Sequence, residues 1–524
     1  MNLLSYLDHI TSIDPHKPAF IFLSARSKTW ETLSFAQLAD LTQYFTCGLL
    51  ACRVIPGMRA AMMTPPSIEF FALALAMLKL GVVPVIVDPA IGLKKVGECL
   101  KETEPHIFIG NSITHGLRIL FGWGKDSVKI NLTIRSAKSK KLKNELPEPQ
   151  SMSAEAPAAI IYTSGSTGAP KGVIYSQANF AAQLEMLRNT FDISQDEIDL
   201  PAFPLYALID ALIGVTSVIP DVTFPVPGNI DPARIVSAMQ GYKVTNTFAS
   251  PVVLNKLAEY GIPRNIKLSG LKRIITAGAP ATIQLQEKFR KLLDDKTDLF
   301  GIYGATEALP IAKIESREIF EAKRKSAMGA GVCLGKPVEG VRVRIISITD
   351  SAIEGWDESL EVKANVVGEI TIQGAAVTES YIAREDANLL SKIKHGDHIV
   401  HRSGDVGYFD DDNRLWYCGR KSDRVATNHG VFFTEQIEGV FNMHPVVYRT
   451  ALVGVNREPV LWIELDRKAD DKKIIHELLE LAKDHPQASK IKIFLYMKKF
   501  PTDVRHNSKI IREKLGIMAK KRLS

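Results

Sequence analysis

The 524-residue sequence predicts an α/β protein: a large N-terminal domain of α/β lobes with mostly parallel sheets, followed by a small α+β domain. Three observations carry this. Ala60–Met63, Ile68–Leu80 and Val82–Val87 read as strand, helix and strand with short connections, the unit that builds a parallel sheet. The rhythm returns in strand-like Val244–Phe248, helix-like Pro251–Tyr260 and strand-like Leu271–Thr276. After residue 420 the order changes to helix Glu435–Asn442, strands Thr450–Val455 and Leu461–Leu465, helix Asp471–Lys483 and strand Ile491–Tyr496. That order describes a mixed module of about 100 residues, and the whole length calls for about two to four units.

Taken in order, Met1–Ile10 has no basic start and carries Asp8 among its apolar residues, which argues against a signal peptide and for an amphipathic surface helix. Residues 30–53 show helical periodicity, clearest from Leu33 to Leu50. The most apolar stretch, Phe70 to Ile91, is interrupted by Lys79, Gly81, Pro84, Asp88 and Pro89, so it reads as a buried helix and strand and not as a membrane span. Arg135–Glu155, polar and basic, reads as a connector.

Composition narrows the function classes. A hydrophobic content of 46% with 23% charged residues is that of a soluble globular protein. The five cysteines, Cys47, Cys52, Cys99, Cys333 and Cys418, form no Cys-x-x-Cys pair and read as reduced thiols of a cytoplasmic protein. Residues 420–524 carry 21 Lys and Arg against 13 Asp and Glu, so the net charge of +7 is concentrated there. With no basic stripe interleaved with aromatics, this excess fits a cationic domain closing over an anionic small molecule better than a nucleic-acid partner.

The densest chemistry lies at Tyr162–Val173. Apolar Ala158–Tyr162 suits a strand, and Gly165 and Gly168 let the next backbone turn its N–H groups inward around oxyanions. Thr163, Ser164, Ser166 and Thr167 add hydroxyl donors, and Lys171 a mobile cation. No Gly-Lys followed by Ser or Thr is present, so this phosphate loop is not of the Gly-x-x-x-x-Gly-Lys type. A second concentration begins at Leu271–Thr276, which runs into the tight turn Ala277-Gly278-Ala279-Pro280 at a strand end, where α/β folds place ligands. Leu299–Glu307 then delivers an aromatic (Tyr303), a glycine (Gly304), a hydroxyl (Thr306) and a carboxylate (Glu307) in quick succession. Gly368–Gly374 alternates like a strand, and Phe409–Tyr417 reads as a hairpin turning at Asp410–Asn413.

The order Thr163-Ser164-Gly165-Ser166-Thr167-Gly168-Ala169-Pro170-Lys171-Gly172 resembles the signature loop of the adenylate-forming superfamily, which includes acyl-CoA synthetases, peptide-synthetase adenylation domains and luciferases. Gly304-Ala305-Thr306-Glu307, Ser403-Gly404-Asp405, Gly419-Arg420-Lys421-Ser422-Asp423 and the basic segment Pro501–Arg512 resemble further segments of it. The resemblance implies a distorted barrel within the large domain, and ATP and Mg²⁺ as cofactors. Tyr303 would face the purine, Gly278, Ala279, Pro280 and Gly304 would lie along the nucleotide, Thr306 would donate to phosphate and Glu307 would hold the metal through oxygen. Asp405 would accept the ribose hydroxyls, with Arg420 near the nucleotide. Asp423 would be the pivot of a mobile C-terminal domain, dividing the chain at 1–422 and 423–524, and Lys509 the catalytic lysine.

The product is less constrained. Where many relatives have Pro-Leu-Phe-His, a gate for thiol access, this chain has Pro204-Leu205-Tyr206-Ala207, and Ala426 stands where relatives place a lysine after the hinge. Pro65–Leu73, Val87–Gly92, Gly304–Pro310 and Arg505–Ile510 are similar to the β-lactone synthetases of bacterial long-chain olefin biosynthesis. There a β-hydroxy fatty acid is adenylated and its own hydroxyl displaces AMP, which needs no thiol tunnel. Phe203, Leu205, Tyr206, Leu208 and Leu212 suit either a long acyl chain or the core. A fatty acyl-CoA ligase is the second reading. A catalytically dead nucleotide scaffold is the third, opposed by Glu307, Asp405, Arg420 and Lys509 standing together. Partner enzymes of the same pathway are compatible with the first.

Overall fold

The computed structural model describes residues 3–24, 27, 29–138, 152–163, 169–203, 205–220, 230–278, 281–466, 471–502 and 509–524. Much of the Arg135–Glu155 connector lies outside them. Among the described residues, no helix is long and apolar enough to cross a membrane.

The first lobe is built as its sequence pattern dictates. Helix Ile68–Leu80 starts where the Ser67 hydroxyl accepts the Phe70 N–H at 3.1 Å and stops where Gly81 takes a left-handed conformation, φ +66°. It is apolar on every side, so it must be buried on every side, and Phe71, Leu73 and Leu75 are fully enclosed. Each such side chain contributes about 1.5–3 kcal/mol of transfer free energy. Beside it a six-stranded sheet runs in the order Ile130–Leu132, Ile107–Gly110, Arg59–Met63, Val83–Ile86, Pro157–Thr163, Lys171–Ser176. All neighbours are parallel except the last pair, which is antiparallel.

One expectation needs correction. Residues Trp30–Ser34 are a strand, paired antiparallel with Pro18–Leu23, and the helix begins only at Phe35. Ser34 and Gln37 form a reciprocal capping box there, a start signal that outweighs periodicity counted from Leu33. The N-terminal helix, Ser5–Ile13, is the expected amphipathic surface helix: Leu7 and Ile10 enter the core that also holds Phe35 and Phe71, while Asp8, His9 and Ser12 are exposed.

The larger sheet places parallel strands Asn246–Ala249, Arg273–Thr276 and Asp298–Ala305 side by side. It continues through antiparallel Ala308–Glu315, Val332–Pro337, Leu415–Arg420, His398–Phe409, Gly368–Gly374 and Val341–Ile346. The antiparallel strands implied as a barrel are therefore hydrogen-bonded onto the parallel strands as one path, joined by the hairpin at Thr306–Glu307.

The C-terminal region has its own core. Strands Val447–Val455 and Glu458–Leu465 are antiparallel, and Ile493–Tyr496 adds in parallel. Phe432, Phe441 and Ile463 pack on one side of this sheet, and Trp462, Phe500 and Leu515 on the other. Strands and helices fall within a few residues of their expected positions, with helix Thr434–Phe441 replacing the expected Glu435–Asn442.

Candidate active site

The residues expected at the nucleotide arrive on three strands. Strand Asp298–Ala305 carries Tyr303, whose hydroxyl donates to Asp405 Oδ2 at 2.6 Å. Asp405 sits on strand His398–Phe409 directly opposite Arg420 on Leu415–Arg420, and Arg420 Nε lies 3.0 Å from Asp405 Oδ1. Cross-strand register thus joins Asp405 and Arg420, 15 positions apart, and the Tyr303 hydroxyl adds a residue 102 positions away. Burial pushes the Asp405 carboxyl up, while Arg420, the Tyr303 hydroxyl and the Lys509 ammonium pull it back. Asp405 Oδ1 has no hydrogen-bond partner of good geometry despite its burial, so it retains capacity for a hydroxyl donor.

Lys509, from the C-terminal region, is near enough to Asp405 for its charge to favour the carboxylate. Thr502 and Ile510 form an isolated bridge at the two ends of the segment that carries Lys509. Behind it Arg512 reaches Asp423 at 3.5 Å, Glu435 at 4.0 Å and Glu438 Oε2 at 3.0 Å. The expected pivot residue, Asp423, is therefore ion-paired with the C-terminal region. On the large-domain side, Lys421 Nζ lies 3.0 Å from both Glu369 oxygens, and Arg402 pairs with the same carboxylate at 2.6 Å.

Glu307 occupies the turn after Thr306. The Tyr381 hydroxyl donates to Glu307 Oε1 at 2.7 Å, and the Thr378 N–H donates to the Glu307 carbonyl at 2.9 Å. Lys171 Nζ lies 4.9 Å from the Tyr381 ring centroid and Lys392 Nζ 5.5 Å from it. Lys392 is buried and donates to the Thr378 carbonyl. Burial lowers it to about 8, while Glu307 and Glu379 favour its charged form. The Tyr175 hydroxyl donates to the Thr306 carbonyl, bracing the turn from the other side. Gly304 serves packing: a Cβ there would stand 2.4 Å from Leu309 Cδ1.

Of the phosphate loop, the Thr163 backbone and Lys171 are described and pair across the hairpin that flanks it. Ser164, Gly165, Ser166, Thr167 and Gly168 lie outside the described residues, as do the Thr163 side chain, Ala279 and Pro280. Gly278 is present with φ +91°, the left-handed region that a side chain resists. Leu212, one candidate for lining an acyl site, is wholly buried in the first lobe's core with Ala207. Tyr206 stacks on Phe248 with centroids 3.7 Å apart.

Tyr175, Tyr381 and Lys392 were not legible in the sequence. Tyr381 lies 74 residues from Glu307, and Lys392 sits in a Lys-Ile-Lys pattern that reads as a solvated strand. Replacing Tyr381 by Phe removes one hydrogen bond to a charged group, for which about 1.5–3 kcal/mol is typical. The expected result is a fall of about ten- to a hundredfold in adenylate formation, with a raised Mg²⁺ requirement. Pyrophosphate exchange titrated with Mg²⁺ checks it.

Residues 8–382 match the family described as AMP-binding enzyme. The chain belongs to that family, and it is an AMP-forming ligase or synthetase. It is 40% identical over 512 residues to the olefin beta-lactone synthetase of Xanthomonas campestris pv. campestris, covering 93% of this chain and 91% of that protein. To the olefin beta-lactone synthetase of Stenotrophomonas maltophilia it is 39% identical over 509 residues, with the same coverages. Among solved structures, O-succinylbenzoate coenzyme A synthetase from Bacillus subtilis, in complex with ATP and magnesium ion, shares its fold. The TM-score is 0.77 at 21% identity, over 97% of this chain and 98% of that chain.

Proposed function

We propose that this enzyme adenylates a long-chain β-hydroxy fatty acid and that the acid's own hydroxyl then displaces AMP to give a β-lactone. The adenylating half is supported by the Lys509 charge reaching the Asp405–Arg420 pair from the C-terminal region. The lactone half is supported by 40% identity to a protein named olefin beta-lactone synthetase and by Ala207 standing at the gate position.

The donor set fits the implied metal. Glu307 Oε1 accepts Tyr381, which leaves Oε2 for a hard cation. Among the described residues no group of three or more His, Cys, Asp or Glu could hold a metal unaided. That is the pattern of Mg²⁺ held by one carboxylate and the substrate's own phosphates. When bound, the ion would neutralise phosphate charge as pyrophosphate departs.

The chain's own groups do the rest. Asp405 Oδ1 accepts a ribose hydroxyl and Tyr303 flanks the base. The phosphate loop, with Lys171 and the residues Thr163 to Gly168, holds the phosphates beside Gly278, Ala279 and Pro280. Lys509 and Thr306 stabilise the charge that builds as a carboxylate oxygen attacks the α-phosphorus. Two anions meet in this step, so orientation and positive charge supply most of the catalysis. The hydroxyl oxygen then attacks the acyl carbon and AMP leaves with the bonding pair. We assign residues 1–422 and 423–524 as the two domains, with Asp423 at the pivot, and the cytoplasm as the compartment, beside enzymes that supply the hydroxy acid and consume the lactone.

The test is incubation with ATP, Mg²⁺ and a 2-alkyl-3-hydroxy acid, with products read by mass spectrometry with and without CoA. Lactone and AMP are expected without CoA. Turnover that requires CoA and proceeds equally well on acids lacking the hydroxyl identifies a fatty acyl-CoA ligase instead.

A further inference from the structure

Helix Tyr206–Ile213 and strands Ile198–Asp199 and Asn246–Ala249 enclose a cavity of about 30 Å³. Part of its wall is apolar, with Phe248 and Ile275; the rest carries Asp199, Asp210, Asn246 and Tyr206. Asp199 Oδ1, Asn246 Oδ1 and the Tyr206 hydroxyl are buried and have no hydrogen-bond partner. Asp199 and Asn246 are each 3% exposed. Stability alone gives no reason for this, because a buried polar group without a partner destabilises the fold and an apolar side chain would fill the space better.

The two carboxyls are within hydrogen-bonding contact of each other, and Ser217 donates to Asp210 Oδ2. Burial pushes both upward, and the Asp199 charge pushes Asp210 further. Two carboxyls this close share one proton. The pair therefore holds one proton between its two carboxyls, and Asp199 Oδ1 is open as an acceptor.

The cavity's Ile275 lies on strand Arg273–Thr276, which leads into the Gly278 turn. Tyr206 lies within electrostatic range of Asp199 and Asp210 on one side and of Tyr175 on the other. Tyr175 in turn bonds the Thr306 carbonyl and feels the Glu307 charge. Tyr206 thus lines the acid pair's cavity and is coupled by charge to the tyrosine that bonds the Thr306 turn.

We propose that this cavity is the proton-accepting subsite of the second half-reaction, with Asp199 receiving the substrate hydroxyl's proton through the Tyr206 hydroxyl. The inference rests on the β-lactone reading above. As the hydroxyl oxygen bonds to the acyl carbon, the bond from that carbon to the AMP phosphate oxygen breaks, and AMP leaves with the electron pair. The hydroxyl proton passes to the Tyr206 oxygen while the Tyr206 proton passes, through a water that the cavity has room for, to Asp199 Oδ1. Asp199 returns it to solvent before the next turnover.

The experiment separates the two half-reactions. Wild type, Asp199→Asn and Tyr206→Phe are mixed with ATP, Mg²⁺ and a 2-alkyl-3-hydroxy acid, and pyrophosphate, acyl-adenylate and lactone are quantified by rapid quench. Tyr206→Phe keeps the ring on Phe248 and deletes a hydroxyl that bonds nothing, so folding is preserved. Both variants are expected to release pyrophosphate within about twofold of wild type, to accumulate acyl-adenylate and to form lactone about a hundredfold more slowly, the range typical of a lost general base. Lactone at the wild-type rate from either variant, as from a cavity that holds only water, overturns the subsite while leaving the β-lactone reading intact. Equal losses in both half-reactions with Tyr206→Phe also overturn it, since the hydroxyl would then act through packing. If wild type itself makes no lactone, the β-lactone reading fails and the subsite falls with it.

Discussion

Replacing Lys509 by Ala is expected to slow adenylate formation by about 10²–10³-fold, the loss typical when one preorganised charge or donor is removed from a developing oxyanion. The physical reason lies in the step itself. Carboxylate and α-phosphate repel, and charge builds on the oxygens around phosphorus as pyrophosphate leaves. Lys509 is a cation from the C-terminal region whose charge already acts on Asp405 in the large domain. It is partly exposed and outside both C-terminal cores, so its loss should leave the melting temperature unchanged. The deficit should appear in kcat of pyrophosphate exchange and not in the KM for ATP, because the lysine's contribution grows toward the transition state. Equal near-zero exchange from wild type and variant would support the scaffold reading instead.

The second large effect is expected on stability. Arg512 is half-buried between Glu438, Glu435 and Asp423, and Glu438 Oε1 also accepts the Leu452 N–H at 2.7 Å. Arg512→Met deletes the only cation in this cluster among the described residues. Three carboxyls remain at the junction of the two parts, and breaking a buried pair from one side costs about 3–5 kcal/mol. The cost depends on pH, with a sign fixed by burial. Burial, and then repulsion from Glu438, raise Glu435 to about 7 from an ordinary value near 4.5. A carboxyl so raised contributes stability below its unfolded pKa and loses it as pH rises through the folded value. Without Arg512 the group is pushed up further. The variant should therefore lie closer to wild type at pH 5.5 than at pH 8 in urea denaturation followed by Trp462 fluorescence. Adenylation should fall as well, since Lys509 is three residues away and the segment is anchored by the same helix start.

How far the sequence reaches depends on whether a feature is contiguous. Tyr303, Thr306 and Glu307 are one short run, and Asp405, Arg420 and Lys509 each sit in a compact motif, so their order alone carries the resemblance to the family's nucleotide-binding segments. The strand and helix bodies were legible because Ile68–Leu80 ends at Gly81 and is apolar from Phe70 to Leu78. Residues that complete the site from a distance were hidden. Tyr381 meets Glu307 only after strand Gly368–Gly374 has paired, and Asp199 meets Asp210 only after helix Tyr206–Ile213 has folded back. Trp30–Ser34 went astray because a half-buried strand preceding a helix extends its apparent periodicity, and only the Ser34–Gln37 box shows where the helix begins.

Isotope tracing tests the central claim most directly. A 2-alkyl-3-hydroxy acid with both carboxylate oxygens replaced by ¹⁸O is turned over with ATP and Mg²⁺, and AMP and lactone are weighed by mass spectrometry. Activation of the carboxylate followed by attack of the hydroxyl requires one ¹⁸O in AMP and one in the lactone carbonyl, with an unlabelled ring oxygen. Unlabelled AMP with both heavy oxygens retained in the product would mean that the carboxylate was never joined to phosphorus, contradicting the account.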